Sequence, residues 1–368
     1  MKEFSREQVA YCRLVKSGLE TPFKSAADCA SALFGMQAQA QQFAEIALYN
    51  RVKDLTAADL KKQFDNKEFI KVWAQRMTVH LFHKNDWCAV TKVFAPYRKG
   101  AIKKYLEITD KNVENIFAKF GKEKTLTKDK VKEIIDSEIA HIDKFYRDTC
   151  IIMAASASGI ICGAAERPHT KNYFNKKILF SQAEYKKWDA VSGQKALEDL
   201  MLLYFANYGP ASYADFLHWS GLKKTDTFKI FEKIKNKLDS YKYNEVEIYA
   251  VKNDNVVESV KQNGVKRIVK LLGKFDSLFV CYKDKTWSSD TKHHKQIWRP
   301  AAHVESILIL GSEAAGTWRY SIKGANIDFQ FNLFKKITAA DKKDIKEQAQ
   351  RLAKFLSKKL HTISYEGY

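Results

Sequence analysis

Residues 209–222 have the sequence GPASYADFLHWSGL, which predicts the end of one helix and the start of two more. The Gly-Pro pair ends the preceding helix, because proline cannot continue the helical hydrogen-bond ladder. Ser212 then caps a short helix, and Gly221 makes a turn before a basic helix predicted over 225–238. A short helix, a glycine turn and a basic helix form the pattern of a helix-turn-helix.

Segments rich in β-branched and aromatic residues follow groups of helices at three places in the chain. Strands predicted over 247–251 and 255–260 would form the wing of the helix-turn-helix. Earlier, helical patterns fill the first 65 residues before a strand-like stretch at 69–82. Helices predicted between 112 and 158 precede a strand at 176–181. The repeated layout predicts tandem winged helices.

Strand patterns dominate the C-terminal region until a capped helix begins at Thr338. The predicted strands cover 267–272, 277–282, 306–310, 316–322 and 327–331. Strands of this spacing are typical of a small antiparallel barrel or sandwich. We therefore expect an α+β fold in which tandem winged-helix motifs precede a C-terminal antiparallel β-barrel. The predicted domains are a first winged helix at 1–90, a second at 91–190, a third at 191–265, and the barrel with its final helix at 266–368.

The balance of charge indicates a polyanionic partner or an acidic membrane face. The 368 residues include 63 Lys and Arg against 43 Asp and Glu, a net charge of +20. Basic residues concentrate at 223–274, 283–299 and 333–360, in the same half as the best helix-turn-helix pattern. A Lys-rich proteome and solvated lysine faces would also explain such runs. Their position favours DNA, whose phosphates supply most non-specific affinity.

Other function classes lack support in the sequence. No run of 18 apolar residues and no apolar signal core occurs, so we expect a cytoplasmic, nucleoid-associated protein without membrane contact. Phosphate-binding loops of the G-x-x-x-x-G-K-[ST] and G-x-G-x-x-G types are absent. The six cysteines are scattered without a C-x-x-C pair, which predicts reduced, buried thiols rather than a zinc site. We therefore expect no cofactor and no metal.

Residues 33–42, LFGMQAQAQQ, place a cluster of glutamines between two helical patterns. On a regular helix, residues two apart lie about 200° apart around the axis. Gln37 and Gln39 can therefore hold one water molecule only if the chain leaves the helix between them, and Gly35 makes that break plausible. In an unbroken helix, Gln37 and Gln41 would share a face instead. The plain alternative is a polar linker with surface glutamines.

The segment 287–298, WSSDTKHHKQIW, lies between two predicted strands and mixes Trp, His and Lys. A hairpin of this composition could enter a DNA groove and contact phosphates and base edges. A disordered polar loop is the alternative. His293 and His294 are a poor metal pair, since adjacent side chains on a strand point to opposite faces. The candidate DNA contacts here are Lys285, Lys292, His293, His294, Lys295 and Arg299.

Several motifs resemble the AlkZ/YcaQ-like family of winged-helix DNA glycosylases. They are GMQAQ at 35–39, VWAQRMTVHLF at 72–82, GPASYADFLHWSGL at 209–222, LLGKFDSLFVCYKDKTW at 271–287 and GTWRY at 316–320. Each motif is moderately specific, but together they cover nearly the whole chain in the family's order. Met77 departs from the pattern, because the family more often has glycine there.

The resemblance implies three tandem winged helices in a C-shaped arrangement with a β-barrel. It also implies hydrolysis of the N-glycosidic bond of N7- or N3-alkylated purines in double-stranded DNA, and in some members the unhooking of interstrand crosslinks. The family's catalytic motif is Q-Φ-Q or Q-Φ-D, where Φ is aliphatic, and Gln37-Ala38-Gln39 matches the first form. The implied enzyme is a monofunctional N-alkylpurine DNA glycosylase that acts as a monomer in base excision repair.

Arg76, Thr78 and His80 match the family's R-x-T-x-H pattern. In a wing strand, residues two apart point to one side, so all three could face DNA. Arg76 would then contact a phosphate, and His80 the deoxyribose or a phosphate. In the alternative interpretation Arg76 forms a structural ion pair and His80 is a buried core histidine. We expect structural roles for Asp276 and Asp284, and core positions for Trp219 and Trp318.

A non-enzymatic winged-helix DNA-binding protein, such as a transcriptional regulator, is the alternative function. A regulator usually binds a two-part site as a symmetric dimer, and the sequence shows no heptad or other dimerisation pattern. RNA binding is a weaker alternative, since basic charge alone does not distinguish the two nucleic acids.

Overall fold

The computed structural model describes residues 3–368 and has a mixed α+β fold. Its helices are α1 (Arg6–Lys16), α2 (Ala26–Ala32), α3 (Gln41–Arg51), α4 (Ala57–Asp65), α5 (Trp87–Leu106), α6 (Asp110–Phe120), α7 (Lys128–Ile139), α8 (Arg147–Ala157), α9 (Gln182–Ala190), α10 (Gly193–Asn207), α11 (Tyr213–Ser220), α12 (Lys224–Ile234), α13 (Asn255–Asn263), α14 (Ser277–Val280), α15 (His294–Ile297) and α16 (Ala339–Phe355).

The strands are short in the N-terminal half and long near the C-terminus. They are β1 (Met36–Gln37), β2 (Phe69–Trp73), β3 (Val79–His83), β4 (Thr125–Leu126), β5 (Ile161–Ala164), β6 (Tyr173–Asn175), β7 (Leu238–Tyr243), β8 (Val246–Val251), β9 (Ile268–Leu272), β10 (Trp298–Arg299), β11 (His303–Val304), β12 (Ser306–Gly311), β13 (Glu313–Lys323), β14 (Asn326–Leu333) and β15 (Lys359–Glu366).

The chain divides into two compact units. Unit 1 combines residues 1–60 with 201–368, and unit 2 comprises residues 61–200. The four-domain division predicted from sequence stays a prediction.

Helices α11 and α12 of unit 1 form where the sequence predicted a helix-turn-helix. Ser212 and Asp215 make a capping box at the start of α11, and Gly221 ends that helix in the left-handed region at φ 70°. Helix α12 follows, and then the antiparallel hairpin β7–β8. Local caps and turn residues therefore set this order of elements.

The wing prediction for this part of the chain is only half right. Strand β8 lies where expected, but its partner is β7, which precedes it, and 255–260 belongs to helix α13. Asn244 and Glu245 both have positive φ and close a two-residue turn between β7 and β8. Asp254 caps α13 by accepting hydrogen bonds from the backbone N–H groups of Val256 and Val257, which converts the next segment to helix.

The C-terminal strands form one five-stranded sheet in the order β15-β14-β13-β12-β9. Its inner pairs are antiparallel as predicted, but β15 runs parallel to β14 and had no counterpart in the sequence prediction. Strands β9 and β15 remain edges, so residues 3–368 contain no closed barrel, and the barrel prediction is wrong in that respect. The predicted strand at 277–282 is also wrong, since Asp276 caps the short helix α14 there.

Unit 2 packs helices against a small antiparallel sheet in which β3, β2, β5, β6 and β4 are neighbours in that order. Helices α5 to α8 supply a hydrophobic core that includes Leu106, Ile116, Phe120 and Ile135. The strand predicted at 176–181 is absent, because Asn175 caps a short 3-10 turn at Lys176–Ile178 after β6.

Within the residues that the structure describes, no helix is long and apolar enough to cross a membrane.

Candidate active site

The glutamine-rich segment leaves helical geometry between α2 and α3. Phe34 and Gly35 both have positive φ, 50° and 83°, and this left-handed pair ends α2. Met36 and Gln37 are extended as β1, and Gln39 lies in a bend before α3 begins at Gln41. The condition set by the sequence is therefore met, since no single helix carries both Gln37 and Gln39.

The side chains of this segment differ in exposure. Gln37 is only 8% exposed, whereas Gln39 is exposed to solvent. Gln41 is buried at the first position of α3 and donates a hydrogen bond of 2.9 Å from Nε2 to Oε1 of the buried Glu45. Sequence reasoning singled out Gln37 and Gln39 but missed Glu45. The signal that could have found it is the four-residue spacing of Gln41 and Glu45, which places both on one helical face.

Buried hydrogen bonds hold the residues on either side of the left-handed pair, one at the Leu33 backbone and one at the Met36 side chain. The Tyr208 hydroxyl donates to the Leu33 carbonyl at 2.8 Å, and the Ser277 hydroxyl lies 3.4 Å from Sδ of Met36. Burial raises the pKa of Tyr208 well above its usual value, so the hydroxyl stays a donor. The segment before Gln37 therefore has little freedom to move.

A buried ion pair anchors the far end of α3. The Arg51 guanidinium donates to both carboxylate oxygens of Asp276 at 2.8 and 2.6 Å, and both side chains are buried. Asn50 donates to the Leu271 carbonyl at 2.9 Å, and Gly273 admits α3 closely because a Cβ there would lie 3.3 Å from Ile46. Helix α3 therefore packs against the LLGKFDS motif, and Asp276 has the structural role expected of it.

The other C-terminal motif residues also build a buried scaffold in unit 1. Asp215 accepts hydrogen bonds from the backbone N–H groups of Lys283 and Asp284 at 2.8 and 3.2 Å. Arg13 donates twice to the Pro210 carbonyl and lies 3.8 Å from the centre of the Tyr282 ring.

Both tryptophans named from sequence are buried in unit 1. Trp219 packs against the Tyr204 and Tyr208 rings. Trp318 donates from Nε1 to the Leu272 carbonyl at 2.9 Å. The core positions predicted for both are confirmed. Asp284 accepts from the backbone N–H of Thr286 at 3.0 Å and so closes a local turn, the structural role expected of it.

The R-x-T-x-H residues of unit 2 do not line one face of a strand. Arg76 and Met77 lie in the turn between β2 and β3 with φ 50° and 62°, so the predicted alignment of 76, 78 and 80 on a wing strand is wrong. Met77 adopts the left-handed conformation that favours glycine, the residue that the resemblance implies at this position. Thr78 closes the turn by donating its hydroxyl to the Gln75 carbonyl at 3.0 Å.

His80 is 4% exposed, and its Nδ1 lies 3.0 Å from the Thr78 carbonyl. Burial, together with the positive charge of Arg76, lowers the pKa of His80 to about 3. The imidazole is therefore neutral at ordinary pH, and Nδ1 carries the proton toward the carbonyl. This geometry supports the interpretation of His80 as a buried structural histidine, and its contact with DNA stays a prediction.

The basic segment after α14 is helical rather than a hairpin. Residues Thr291–His293 form a 3-10 turn that leads into α15, and the tight hairpin β10–β11 follows it. Lys292, Lys295 and Arg299 are exposed. His293 stacks on Phe334 with ring centres 4.3 Å apart, and Lys285 lies over Trp298, so these side chains have defined positions. His294 contacts the Ser289 carbonyl at 3.3 Å.

Metal ligands do not cluster in the part of the chain from Glu3 to Tyr368, where no group of three His, Cys, Asp or Glu residues could hold an ion. None of the six cysteines forms a disulfide, and all except Cys88 are buried. Burial raises the pKa of Cys29 to about 12, so this thiol is not a nucleophile at neutral pH.

Comparison with known proteins gives one family and one fold. A family model described as "DNA glycosylase AlkZ-like" matches residues 30–355. The Streptomyces sahachiroi DNA glycosylase AlkZ superposes with a TM-score of 0.78 over 98% of this chain and 100% of that chain, at 17% sequence identity. No curated protein matches the sequence. The structural likeness extends over the full length and shows the fold.

Proposed function

The chain belongs to the AlkZ-like DNA glycosylase family and is therefore a DNA glycosylase that acts on DNA, and we propose that its substrates are purines alkylated at N7 or N3. The observation that carries this proposal is the break between α2 and α3, which places Gln37 and Gln39 outside a common helix. We further propose that both amides position the attacking water, that some substrates are N7-linked interstrand crosslinks, and that the enzyme acts as a monomer.

The chemistry favours a base that is already cationic. Alkylation at N7 or N3 puts a positive charge on the purine, so the base departs as a neutral molecule when the N-glycosidic bond breaks. Little acid catalysis is needed in that case. The remaining requirement is a water molecule held near C1′ and support for an oxocarbenium-like transition state, both of which are matters of position and aligned dipoles.

Two amides suit this requirement. An amide oxygen accepts a hydrogen bond from water and an amide NH₂ group donates one, so a pair of glutamines can orient a water without deprotonating it. The contacts of Tyr208 and Ser277 hold the residues just before Gln37 in place. Gln39 is exposed and can therefore reach a bound nucleotide. The buried Gln41–Glu45 hydrogen bond fixes the first turn of α3 and so positions Gln39 two residues earlier. A neutral, poor leaving group would call for a carboxylate, and activity on normal bases is not expected.

The DNA interface extends beyond the glutamines. We propose that α11, α12 and hairpin β7–β8 form a winged helix, because their order is a helix-turn-helix followed by a two-stranded ribbon. The exposed side chains of Lys292, Lys295 and Arg299 and the partly buried Lys285 are proposed phosphate contacts, with His293 and His294 beside them. In unit 2, Arg76 and Thr78 are proposed to contact DNA from the turn after β2.

A base-release assay on matched duplexes tests the proposal. We expect release of 7-methylguanine and 3-methyladenine under single-turnover conditions, and unhooking of an N7-linked crosslink. Duplexes with O6-methylguanine or with no lesion should release nothing, because those bases are neutral. The abasic strand should stay intact until it is heated in alkali, as expected of a monofunctional enzyme. Equal release of O6-methylguanine, or no release from any cationic lesion, would refute the substrate assignment.

A further inference from the structure

Five ionisable side chains of unit 1 meet at the base of hairpin β10–β11. At their centre is Glu305, between β11 and β12, whose side chain is only 5% exposed. Four basic groups lie within 4 Å of its carboxylate. The distances from that carboxylate are 2.9 Å to Arg319, 3.5 Å to Lys274, 3.6 Å to Arg299 and 3.7 Å to His303. We call these five residues the Glu305 cluster.

The Glu305 cluster carries more positive than negative charge. One carboxylate faces a lysine and two arginines, so two positive charges remain uncompensated. Nε2 of His303 lies 3.2 Å from the Lys274 ammonium, so the ring packs directly against the cationic side of the cluster. The two guanidinium groups are 51% and 62% exposed, and in the described residues neither contacts an acceptor side chain other than Glu305. Most of their N–H donors therefore face solvent.

The Arg51–Asp276 pair shows what a structural ion pair looks like in this protein. That pair is balanced one to one, doubly hydrogen-bonded and buried. In the Glu305 cluster, a buried carboxylate instead draws several cations together at the surface, where they repel one another. A bound anion would relieve that repulsion, and the fixed carboxylate preorganises the cations to receive it.

The space beside the Glu305 cluster fits a small anion. Arg299, Glu305 and Arg319 border an open cleft of about 360 Å³. Its other walls are polar and come from Gln296, Thr317, Gln330 and Asn332, with Glu366 at the edge hydrogen-bonded to Gln330. Guanidinium groups match the oxygen geometry of a phosphodiester, and amide side chains add neutral donors.

We propose that the Glu305 cluster binds one phosphodiester group of the DNA strand that occupies the active site. This proposal rests on the proposed function and adds a defined phosphate contact to it. The loop 274–277 supports the assignment, because it supplies Lys274 to the cluster while Asp276 and Ser277 hold α3 and Met36. The loop that would position a phosphate bound here therefore also contacts α3 and Met36, on either side of Gln37 and Gln39.

The test is the salt dependence of duplex binding by the double variant Arg299→Gln/Arg319→Gln. Fluorescence anisotropy with an undamaged duplex between 50 and 200 mM KCl would give the slope of log affinity against log salt. Loss of one phosphate contact lowers that slope by about 0.9. Both side chains are exposed, so the fold should be retained, and the thermal midpoint checks this. Lys122→Gln/Lys124→Gln, which removes two exposed lysines after α6, is the charge-matched control and should leave the slope unchanged.

A second readout identifies the DNA phosphate itself. Neutral methylphosphonate linkages placed singly along a second duplex, which carries one lesion, should weaken binding of the unmodified protein at one position near that lesion. At that position the methylphosphonate should not lower the duplex affinity of the double variant any further. An unchanged salt slope, or equal sensitivity of both proteins at every position, would overturn the proposal.

Base release by the unmodified protein separates this proposal from the proposed function. If cationic bases are released while the double variant keeps its slope, the phosphate site is wrong and the glycosylase assignment stands. If the double variant loses the slope while no base is released, the phosphate site stands and the substrate assignment is wrong.

Discussion

Two of the polar segments that the sequence marked for function differ in how the structure surrounds them. Residues 33–41 in unit 1 and 74–80 in unit 2 each leave regular structure through two consecutive left-handed residues. In the first segment, Gln39 remains exposed beside the nearly buried Gln37. In the second, His80 is buried, neutral and hydrogen-bonded to the backbone.

The comparison indicates that a polar motif can act on a substrate when two conditions are met. Buried contacts must hold its backbone in place, and at least one of its polar side chains must be exposed. The first segment meets both conditions, since Tyr208 and Ser277 pin it and the Arg51–Asp276 pair holds α3 behind it. In the second, the Thr78 hydroxyl and Nδ1 of His80 are each hydrogen-bonded to a backbone carbonyl. The same backbone geometry therefore precedes an exposed glutamine in unit 1 and closes a turn in unit 2.

The largest predicted effect concerns the support of the first segment. Asp276→Ala leaves the Arg51 guanidinium buried without its carboxylate, so the free energy of unfolding should fall by about 3–5 kcal/mol. Urea denaturation measures this change. Asp290→Ala is the control, because its ion pair with Arg6 is largely exposed and should contribute less than about 1 kcal/mol. An equal fall in the free energy of unfolding in both variants would contradict a special structural role for the buried Arg51–Asp276 pair.

The second prediction concerns the buried histidine of the second segment. The pKa of His80 is lowered from 6.5 to about 3 in the folded state, so below pH 6.5 the unfolded state binds a proton that the folded state does not. Stability should therefore fall as the pH drops from 6.5 toward 3, by about 1.4 kcal/mol per pH unit from this group. His80→Gln should lack that part of the slope when urea denaturation is repeated between pH 6 and 4.

The control for this measurement is His141→Gln, which changes an exposed histidine of the same unit. It should keep the slope of the unmodified protein. A His80→Gln slope equal to that of the unmodified protein would mean that His80 is accessible and charged, and the contrast between the two segments would be lost.

The smallest predicted effect concerns the turn at Met77. An L-residue in the left-handed region costs about 1–2 kcal/mol, while glycine costs about 0.5–1 kcal/mol in chain entropy. Met77→Gly should therefore raise the free energy of unfolding by about 0.5–1 kcal/mol, whereas Met77→Ala should give no gain. Destabilisation by the glycine would show that Met77 contributes contacts worth more than its strain.

Helices with local start signals could be predicted from sequence. Ser5, Thr127 and Thr338 each cap a helix where the pattern placed one, because a cap is decided by residues three apart. Helix α5 had no such signal, since its cap makes no side-chain hydrogen bond and Pro96 interrupts its pattern. Strand β15 alternates between partly buried and exposed side chains, and its place depends on pairing with β14.

The candidate site could be predicted in part. The glycine in GMQAQ indicated the break that the structure shows at Phe34 and Gly35. The partners of this segment, Tyr208 and Ser277, lie more than 170 residues away in sequence, so no local pattern could reveal them. The Glu305 cluster likewise joins a loop, a hairpin and β13 across the chain, and only the fold brings its charges together.

Single-turnover release of 7-methylguanine at saturating duplex tests the central claim most directly. Gln37→Ala and Gln39→Ala should each slow release by about 100-fold with duplex affinity unchanged, because each removes one group that positions the water. Gln42→Ala is the control. It changes a neighbouring glutamine, the second residue of α3, and should keep the rate of the unmodified protein. Rates for Gln37→Ala and Gln39→Ala that match Gln42→Ala would contradict the assignment of these two amides to the reaction.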